Sequence, residues 1–453
     1  MTHIKISKGL NIPIKGAPAR AIKSLPKPKE IALDLKPFDD IRFKLLVAVN
    51  DSVKIGQPLA EDKSCQGRMF VSPAGGIVKE ILRGEKRRLL AIVIEVAEDE
   101  EFHEFSQLGP QQASREEIIA RLKEGGIFSR MRQRPFDVLA DPSKLPRAIF
   151  VKAIESAPFS PSAEMQVMNY EKEFQIGLDA LSKITDGKVH LVYSLDSASP
   201  AFFDAKNVVK HTAEGPHPIG THSLHIESID PIKSIDDIVF TLNVTDVIAI
   251  GHLLEKGKYL NERLISIAGP GVVVDRACFY RTREGVPVSL LIEGKIPDMP
   301  LRLISGDPLI GKKVEGHDFL GFYDHVFCVV PENEEREFLH FFRAGKEKYS
   351  MSRAYLSGHL DSSQHEYDFT TSQHGEHRPF IVASLYDKVQ PLNISTMLLV
   401  KAVMAEDFEL AESLGLLEVA AEDFALPTFV CPSKMEMSDI IAEGLKHYAK
   451  EVS

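Results

Sequence analysis

Between Ala148 and Lys256 the chain alternates short apolar runs with amphipathic ones, and this alternation limits its possible folds more than any other feature. Ala148-Ile149-Phe150-Val151 reads as a buried strand. A helix follows, with Phe174, Leu178 and Leu181 on one face. Val189 to Tyr193 is a second strand, and Val208-Val209 marks a third. Asp246 to Lys256 is a helix, with Gly257 placed to end it. Strand, helix, strand in this order predicts a parallel sheet with right-handed crossovers. Upstream, Ser114-Arg115-Glu116-Glu117 is a capping box. It opens a helix with the stripe Ile118, Ile119 and Leu122, which Gly125-Gly126 ends.

Such a sheet holds a dinucleotide or flavin where glycines let backbone meet phosphate. No G-x-G-x-x-G occurs in this region. Gly125-Gly126 is followed instead by Ile127-Phe128-Ser129-Arg130-Met131-Arg132-Gln133-Arg134-Pro135-Phe136, whose side chains fill the space of a pyrophosphate. Arg130, Arg132 and Arg134 suit an anion, and the preferred reading pairs them with carboxylates across a domain contact. His211, His217, His222 and His225 lie close together around the loop-like G-P-H-P-I-G. Without acidic or thiol ligands at a useful spacing, packing or capping is expected of them rather than metal binding. His374 and His377 read the same way, because H-G-E-H is not the H-E-x-x-H of a zincin.

Val47 to Val96 reads as short strands broken by turns at Asn50-Asp51, Gly56 and Pro73-Ala74-Gly75-Gly76. Val53-Lys54-Ile55 and Ile77 to Ile81 look like one unit used twice, which resembles the barrel-sandwich hybrid of lipoyl and biotinyl carriers. Lys63 in E-D-K stands near a carrier's modified lysine. The tip lacks the carriers' symmetric hairpin, so a surface lysine on a rigid docking module is the favoured reading. Arg83, Lys86, Arg87 and Arg88 read as a solvated hairpin loop before an acidic or lipid contact.

Farther on, Arg263 to Ala268, Cys278 to Arg281, Leu301 to Ile304 and Val326 to Val330 are strands, and Val286 to Glu293 is a short helix. The order suggests a small ubiquitin-like β-grasp. From Glu332 the pattern turns helical. Ser433-Lys434-Met435-Glu436 is a second capping box, leading into Ile440, Ile441 and Leu445. Glu406, Asp407, Glu409, Glu412, Glu418, Glu422 and Asp423 fall between Lys401 and Lys434 with no basic residue among them. Solvated helix faces are expected there, with an acidic docking face as the sharper alternative. Phe338, Phe341 and Phe342 have core spacing, which a quinone groove would share.

Lysine and arginine number 54 against 65 acids, a net charge of −11, so no nucleic-acid partner is expected. Cys65, Cys278, Cys328 and Cys431 form no C-x-x-C, which disfavours an iron–sulfur cluster or structural zinc. No segment approaches the ~20 apolar residues of a membrane helix. Met397 to Ala405 comes nearest and carries Lys401. Met1 to Gly9 lacks the apolar core of a secretory signal.

Several ordered pieces carry a resemblance: K-G-L-N-I-P-I-K-G-A-P at Lys8 to Pro18, V-S-P-A-G-G-I-V-K-E-I at Val71 to Ile81, then R-G-E-K-R, R-P-F, G-P-H-P-I-G-T-H and D-V-I-A-I-G. Over nearly its whole length the chain resembles the NqrA family, the A subunits of sodium-translocating NADH:quinone oxidoreductases. It is more distantly similar to the C subunit of the Rnf complex and to the flavin- and NADH-binding subunit of complex I. Their glycine-rich flavin loop and cluster cysteines have no match here.

The resemblance implies a multidomain α/β chain: a barrel-sandwich hybrid with an N-terminal segment over 1–100, a Rossmann-like domain without its phosphate loop over 101–258, a β-grasp over 259–331, and a helical region over 332–453. It also implies a peripheral subunit on the cytoplasmic side of the bacterial inner membrane, partnered by other subunits, including membrane-embedded ones. NADH, flavins, iron–sulfur and ubiquinone would belong to the whole complex, with no catalytic, cofactor or metal residue assigned here. Ubiquinone is an expected ligand without an assigned residue. A lipoyl- or biotinyl-type carrier and a stand-alone quinone-binding protein are the competing readings.

Overall fold

The computed structural model of the chain describes residues 1–334, 338–339, 342–360 and 365–452. At its centre is a seven-stranded sheet in the order His3–Lys5, Val209–Glu214, Lys188–Ser194, Ala148–Ala153, Val239–Asn243, Arg132–Arg134, Val138–Leu139. The first five run parallel. The last two form an antiparallel hairpin at the edge. All six residues of Ala148–Ala153 are buried, which is why that run carries no polar alternation. The helices Glu171–Lys183 and Val244–Lys256 cover one face. They touch backbone to backbone: a Cβ on Gly251 would lie 1.7 Å from the Glu173 carbonyl oxygen. The helix His222–Ile229 and the C-terminal helices cover the other face.

A six-stranded sheet follows the order Lys312–Val314, Leu301–Ser305, Val326–Pro331, Glu262–Ala268, Cys278–Arg283, Ala19–Ser24. Glu262–Ala268 and Val326–Pro331 pair in parallel at its centre, and the short helix Val288–Ile292 packs on it, giving the expected β-grasp layout. Two smaller sheets make the barrel-sandwich unit: Glu30–Asp34, Leu89–Val96, Gly76–Arg83, Ser52–Val53, and Phe43–Leu45, Pro58–Asp62, Met69–Val71. Its core, with Leu33, Phe38 and Phe70, also takes in Phe322 from the β-grasp unit.

Some expectations need correction. The first 25 residues contribute no strand to the barrel-sandwich sheets. His3–Lys5 pairs with Val209–Glu214, and Ala19–Ser24 pairs with Cys278–Arg283. The expected helical onset at Glu332 does not occur among the described residues. Apart from the short turn Leu356–His359, helix begins at Tyr386–Val389. Ser433 does not cap. Its hydroxyl donates to the Pro379 carbonyl, and the last helix starts at Met437. Phe338 and Phe342 are 81% and 79% exposed rather than core, and Phe341 lies outside the described residues. Among the described residues, no helix is long and apolar enough to cross a membrane. The nearest candidate by sequence is the nine-residue helix Thr396–Met404.

Candidate functional site: the carboxyl-edge crevice

Strand order reverses between Ala148–Ala153 and Val239–Asn243. In open α/β sheets the crevice beyond the carboxyl ends of such strands is where ligands bind. In this protein charged side chains occupy it. Lys152 pairs with Glu155 at 3.0 Å, both largely buried. Burial raises the Glu155 pKa, with Lys152 opposing the shift. The Asn243 backbone N–H donates to Asp246 at 2.9 Å, so the carboxylate of Asp246 already serves the N-terminus of the helix Val244–Lys256. Burial raises the Asp246 pKa, and Arg130, Arg263 and Lys152 work against that shift. The loop after Ala153 carries Pro158, Phe159 and Pro161 where phosphate-binding loops carry glycines.

The three arginines follow from how Ile127–Arg134 folds. Ile127–Ser129 is a buried 3₁₀ turn and Arg132–Arg134 the inner strand of the edge hairpin, and Arg130 between them reaches into the neighbouring unit. Arg130 donates to Glu284 of the β-grasp unit at 2.5 Å and to the Tyr259 hydroxyl at 2.7 Å. Tyr259 donates to Glu284 at 2.9 Å. Burial opposes the Arg130 charge, and Glu284, Tyr259 and Asp246 together more than offset it, so the guanidinium stays firmly charged. Arg132 pairs locally with Asp137, and its guanidinium lies 5.9 Å from the Tyr323 ring centroid. Arg134 donates to Ser223 at 3.0 Å and lies in the field of Asp423 from the helical region. The cross-domain pairing read from the sequence is therefore formed by Arg130, while Arg132 turns back on its own hairpin.

The histidines make hydrogen bonds within the fold. Thr2 N–H donates to His211 Nδ1 at 3.1 Å, which makes His211 Nε2 the donor to His190 Nδ1 at 3.0 Å. His217 Nδ1 meets the Ser156 hydroxyl at 2.9 Å. His225 Nε2 donates to the Ile219 carbonyl at 2.8 Å. Burial pulls His211 and His217 down to about 4 and His225 to about 3. His222 is lowered as well, by burial and then by Lys152. Among the described residues no group of three His, Cys, Asp or Glu side chains is arranged to hold a metal ion. His374 and His377 lie on exposed loops.

Lys63 is exposed just after Pro58–Asp62. Its hairpin tip is anchored. Asp62 is 1% exposed and pairs with Arg68 at 3.1 Å, and Arg68 donates to the Ala140 carbonyl of the central unit at 3.0 Å. Sequence reasoning missed Lys152, Glu155, Asp246, Tyr259, Arg263 and Glu284. The signal available was Lys152 itself, a lysine inside an otherwise apolar buried run.

A flavin or nicotinamide phosphate does not fit this donor set. The crevice cations are met by carboxylates, and Asp246 would stand against a phosphate at its own helix terminus. What the arrangement does is tie the central unit to the β-grasp unit through the buried Arg130–Glu284 pair.

Three family models match the chain: "NqrA N-terminal barrel-sandwich hybrid domain" over residues 4–97, "NqrA second alpha/beta domain" over 113–259, and "NQRA C-terminal domain" over 264–316. Proteins named as the A subunit of Na(+)-translocating NADH-quinone reductase are similar throughout. That of Chlamydia caviae is 39% identical, over 99% of this chain and 97% of its own. That of Chlamydia pneumoniae is 37% identical, over 99% and 98%. That of Tolumonas auensis is 38% identical, over 98% of each. A solved NAD+-reducing [NiFe]-hydrogenase chain overlays 76% of this chain and 63% of itself, at 10% identity and a TM-score of 0.38. With relatives this similar from end to end, and three family models matching in order along it, the chain belongs to the NqrA family.

Proposed function

We propose that the chain acts as the peripheral A subunit, on the cytoplasmic side of a bacterial inner membrane, of a complex that couples NADH oxidation and ubiquinone reduction to sodium export. In this reading it carries no electron carrier of its own. NADH, flavin, iron–sulfur and ubiquinone chemistry belongs to the complex as a whole, and this chain supports its partners. The observation that carries the reading is Asp246, a buried carboxylate at the helix terminus where a nucleotide phosphate would need cationic or N–H donors.

The test is purification from native membranes followed by absorbance and mass spectrometry. Co-purification with membrane-embedded flavoproteins is expected, and the separated chain should hold no stoichiometric flavin. A flavin on this chain that NADH bleaches overturns the reading. Tyrosine fluorescence titrated with a ubiquinone analogue checks quinone contact separately. Saturable quenching adds quinone binding to the role without adding a redox group.

A further inference from the structure

An open groove of about 860 Å³ lies between the end of the helix His222–Ile229, the turn before Thr396–Met404, and the helix Phe408–Ser413 with the turn after it. Its walls carry Glu227, Glu409, Glu412 and Glu418 against Lys233. Among the described residues, no lysine or arginine lies within ion-pair distance of any of the four carboxylates. Glu227 accepts from the Asn393 backbone N–H at 2.8 Å, and Glu412 accepts from the Tyr448 hydroxyl. Both are hydrogen-bonded, and neither is neutralised. Burial raises the pKa of Glu227 and of Glu418, and Glu227 adds to the shift at Glu418.

The groove also has an apolar side. Ile394, Leu414 and Leu417 line it. Leu410 is 47% exposed and stands one helical turn before Leu414, and Leu398 is 51% exposed, one turn beyond the lining Ser395. Solvated helix faces explain scattered acids. They do not explain four carboxylates without a counter-ion gathered on a concave surface with aliphatic side chains at its rim.

We propose that this groove docks a cationic amphipathic segment of a partner protein, its aliphatic side chains against Leu398, Leu410 and Leu414 and its lysines or arginines against Glu227, Glu409, Glu412 and Glu418. The choice of occupant rests on charge complementarity. A second copy of this chain, itself at net charge −11, is a poor match for the groove. The proposal deepens the reading of the chain as one component of a larger assembly, and its test separates the two.

Fluorescence anisotropy of the purified full chain with a labelled helical peptide of the repeat Leu-Lys-Lys-Leu gives the first measurement. Saturable binding is expected, weakened about tenfold or more in E409K/E418K and also weakened in L398S/L410S. It should be retained in E98K/D99K, a remote exposed acidic pair on the barrel-sandwich unit. E409Q/E418Q repeats the comparison should charge reversal disturb folding. Equal binding by groove and control variants overturns the proposal. So does equal binding by L398S/L410S with full competition by spermine, which marks a simple counter-ion trap. In the native complex, a photo-reactive residue at position 410 should cross-link to a lysine- or arginine-bearing segment of a different protein of the complex. A cross-link to a second copy, or to an acidic or uncharged segment, overturns it. A wild-type chain that co-purifies with no membrane protein sinks the functional reading alone, because the peptide measurement still decides the groove.

Discussion

Arg130 and Glu284 come from turns of different units, yet their charged ends meet at 2.5 Å with 8% and 2% of the residues exposed. Glu284 also lies 3.7 Å from the buried Arg263 guanidinium, so removing Glu284 strips two buried cations of their carboxylate, worth roughly 3–5 kcal/mol of stability. Glu284→Ala should lower the urea midpoint strongly, and Arg130→Ala less, because Arg263 remains beside Glu284. The double change to Met at 130 and Leu at 284 should recover part of the Glu284→Ala loss, because it removes one of the two guanidinium groups that Glu284 neutralises. A double variant no better than Glu284→Ala refutes this account of the contact.

The buried histidines set the acid limb of stability. His190, His211 and His217 are drawn down to about 4, His225 and His325 to about 3, in each case chiefly by burial. The unfolded chain, with ordinary histidines, binds more protons than the native one between about pH 4 and 6.5. The histidine contribution is therefore full above about 6.5 and falls as pH drops toward 4. Melting temperature measured across that window should decline steeply, and His225→Gln should flatten the slope.

Asp307 works in the opposite sense. Burial pushes its carboxyl up to about 7, despite the Leu309 N–H bond at 2.8 Å. Its favourable contribution is present below the ordinary carboxyl range and is lost as pH rises through about 7. Asp307→Asn should stabilise the chain at pH 8 and do little at pH 4. Urea midpoints at the two pH values decide it, and equal effects at both would contradict the burial argument.

Gly285 holds the barrel-sandwich unit against the β-grasp. Its φ is +69°, its carbonyl accepts from Ala32 N–H at 3.0 Å, and a Cβ there would lie 1.8 Å from the Ala32 carbonyl oxygen. Gly285→Ala should cost at least about 1–3 kcal/mol and open the junction. Limited proteolysis between the units would reveal it, and an unchanged cleavage pattern would count against the contact.

The carrier alternative has a direct check. Intact mass of the chain from its natural host should equal the sequence mass, and Lys63→Arg should leave complex assembly unchanged. Arg68→Ala should destabilise the chain, because Asp62 would stay buried without its cation. A lipoyl or biotinyl increment that disappears in Lys63→Arg would reverse this reading.

The central sheet is legible in the sequence for a physical reason. A strand covered on both faces, such as Ala148–Ala153, must be apolar without interruption. Ser114 is equally legible, since its hydroxyl and Glu117 form the full reciprocal cap. Ser433 shows the limit, because the same local pattern is overruled by a tertiary acceptor at Pro379. The crevice arginines are not legible because those that cross between units gain their role from partners far along the chain. Lys152 needs only Glu155, but Arg130 waits on Glu284, and Arg134 on Ser223 and Asp423. Within the acidic stretch, Asp423 departs from the solvated reading for the same reason, while Glu406, Asp407 and Glu409 are exposed as expected. Asp423 is 4% exposed and caps Ala420 at 2.7 Å, so it is no solvated side chain.

The early strands have a consequence for synthesis. Thr2 bonds to His211 across 209 positions. At ribosomal rates of about 5–20 residues per second, His3–Lys5 waits roughly 10–40 s for its neighbour to be made. Ala19–Ser24 waits longer for Cys278–Arg283. Neither large sheet can finish during translation until far downstream segments emerge, so nascent chains halted near residue 200 should engage holdase chaperones.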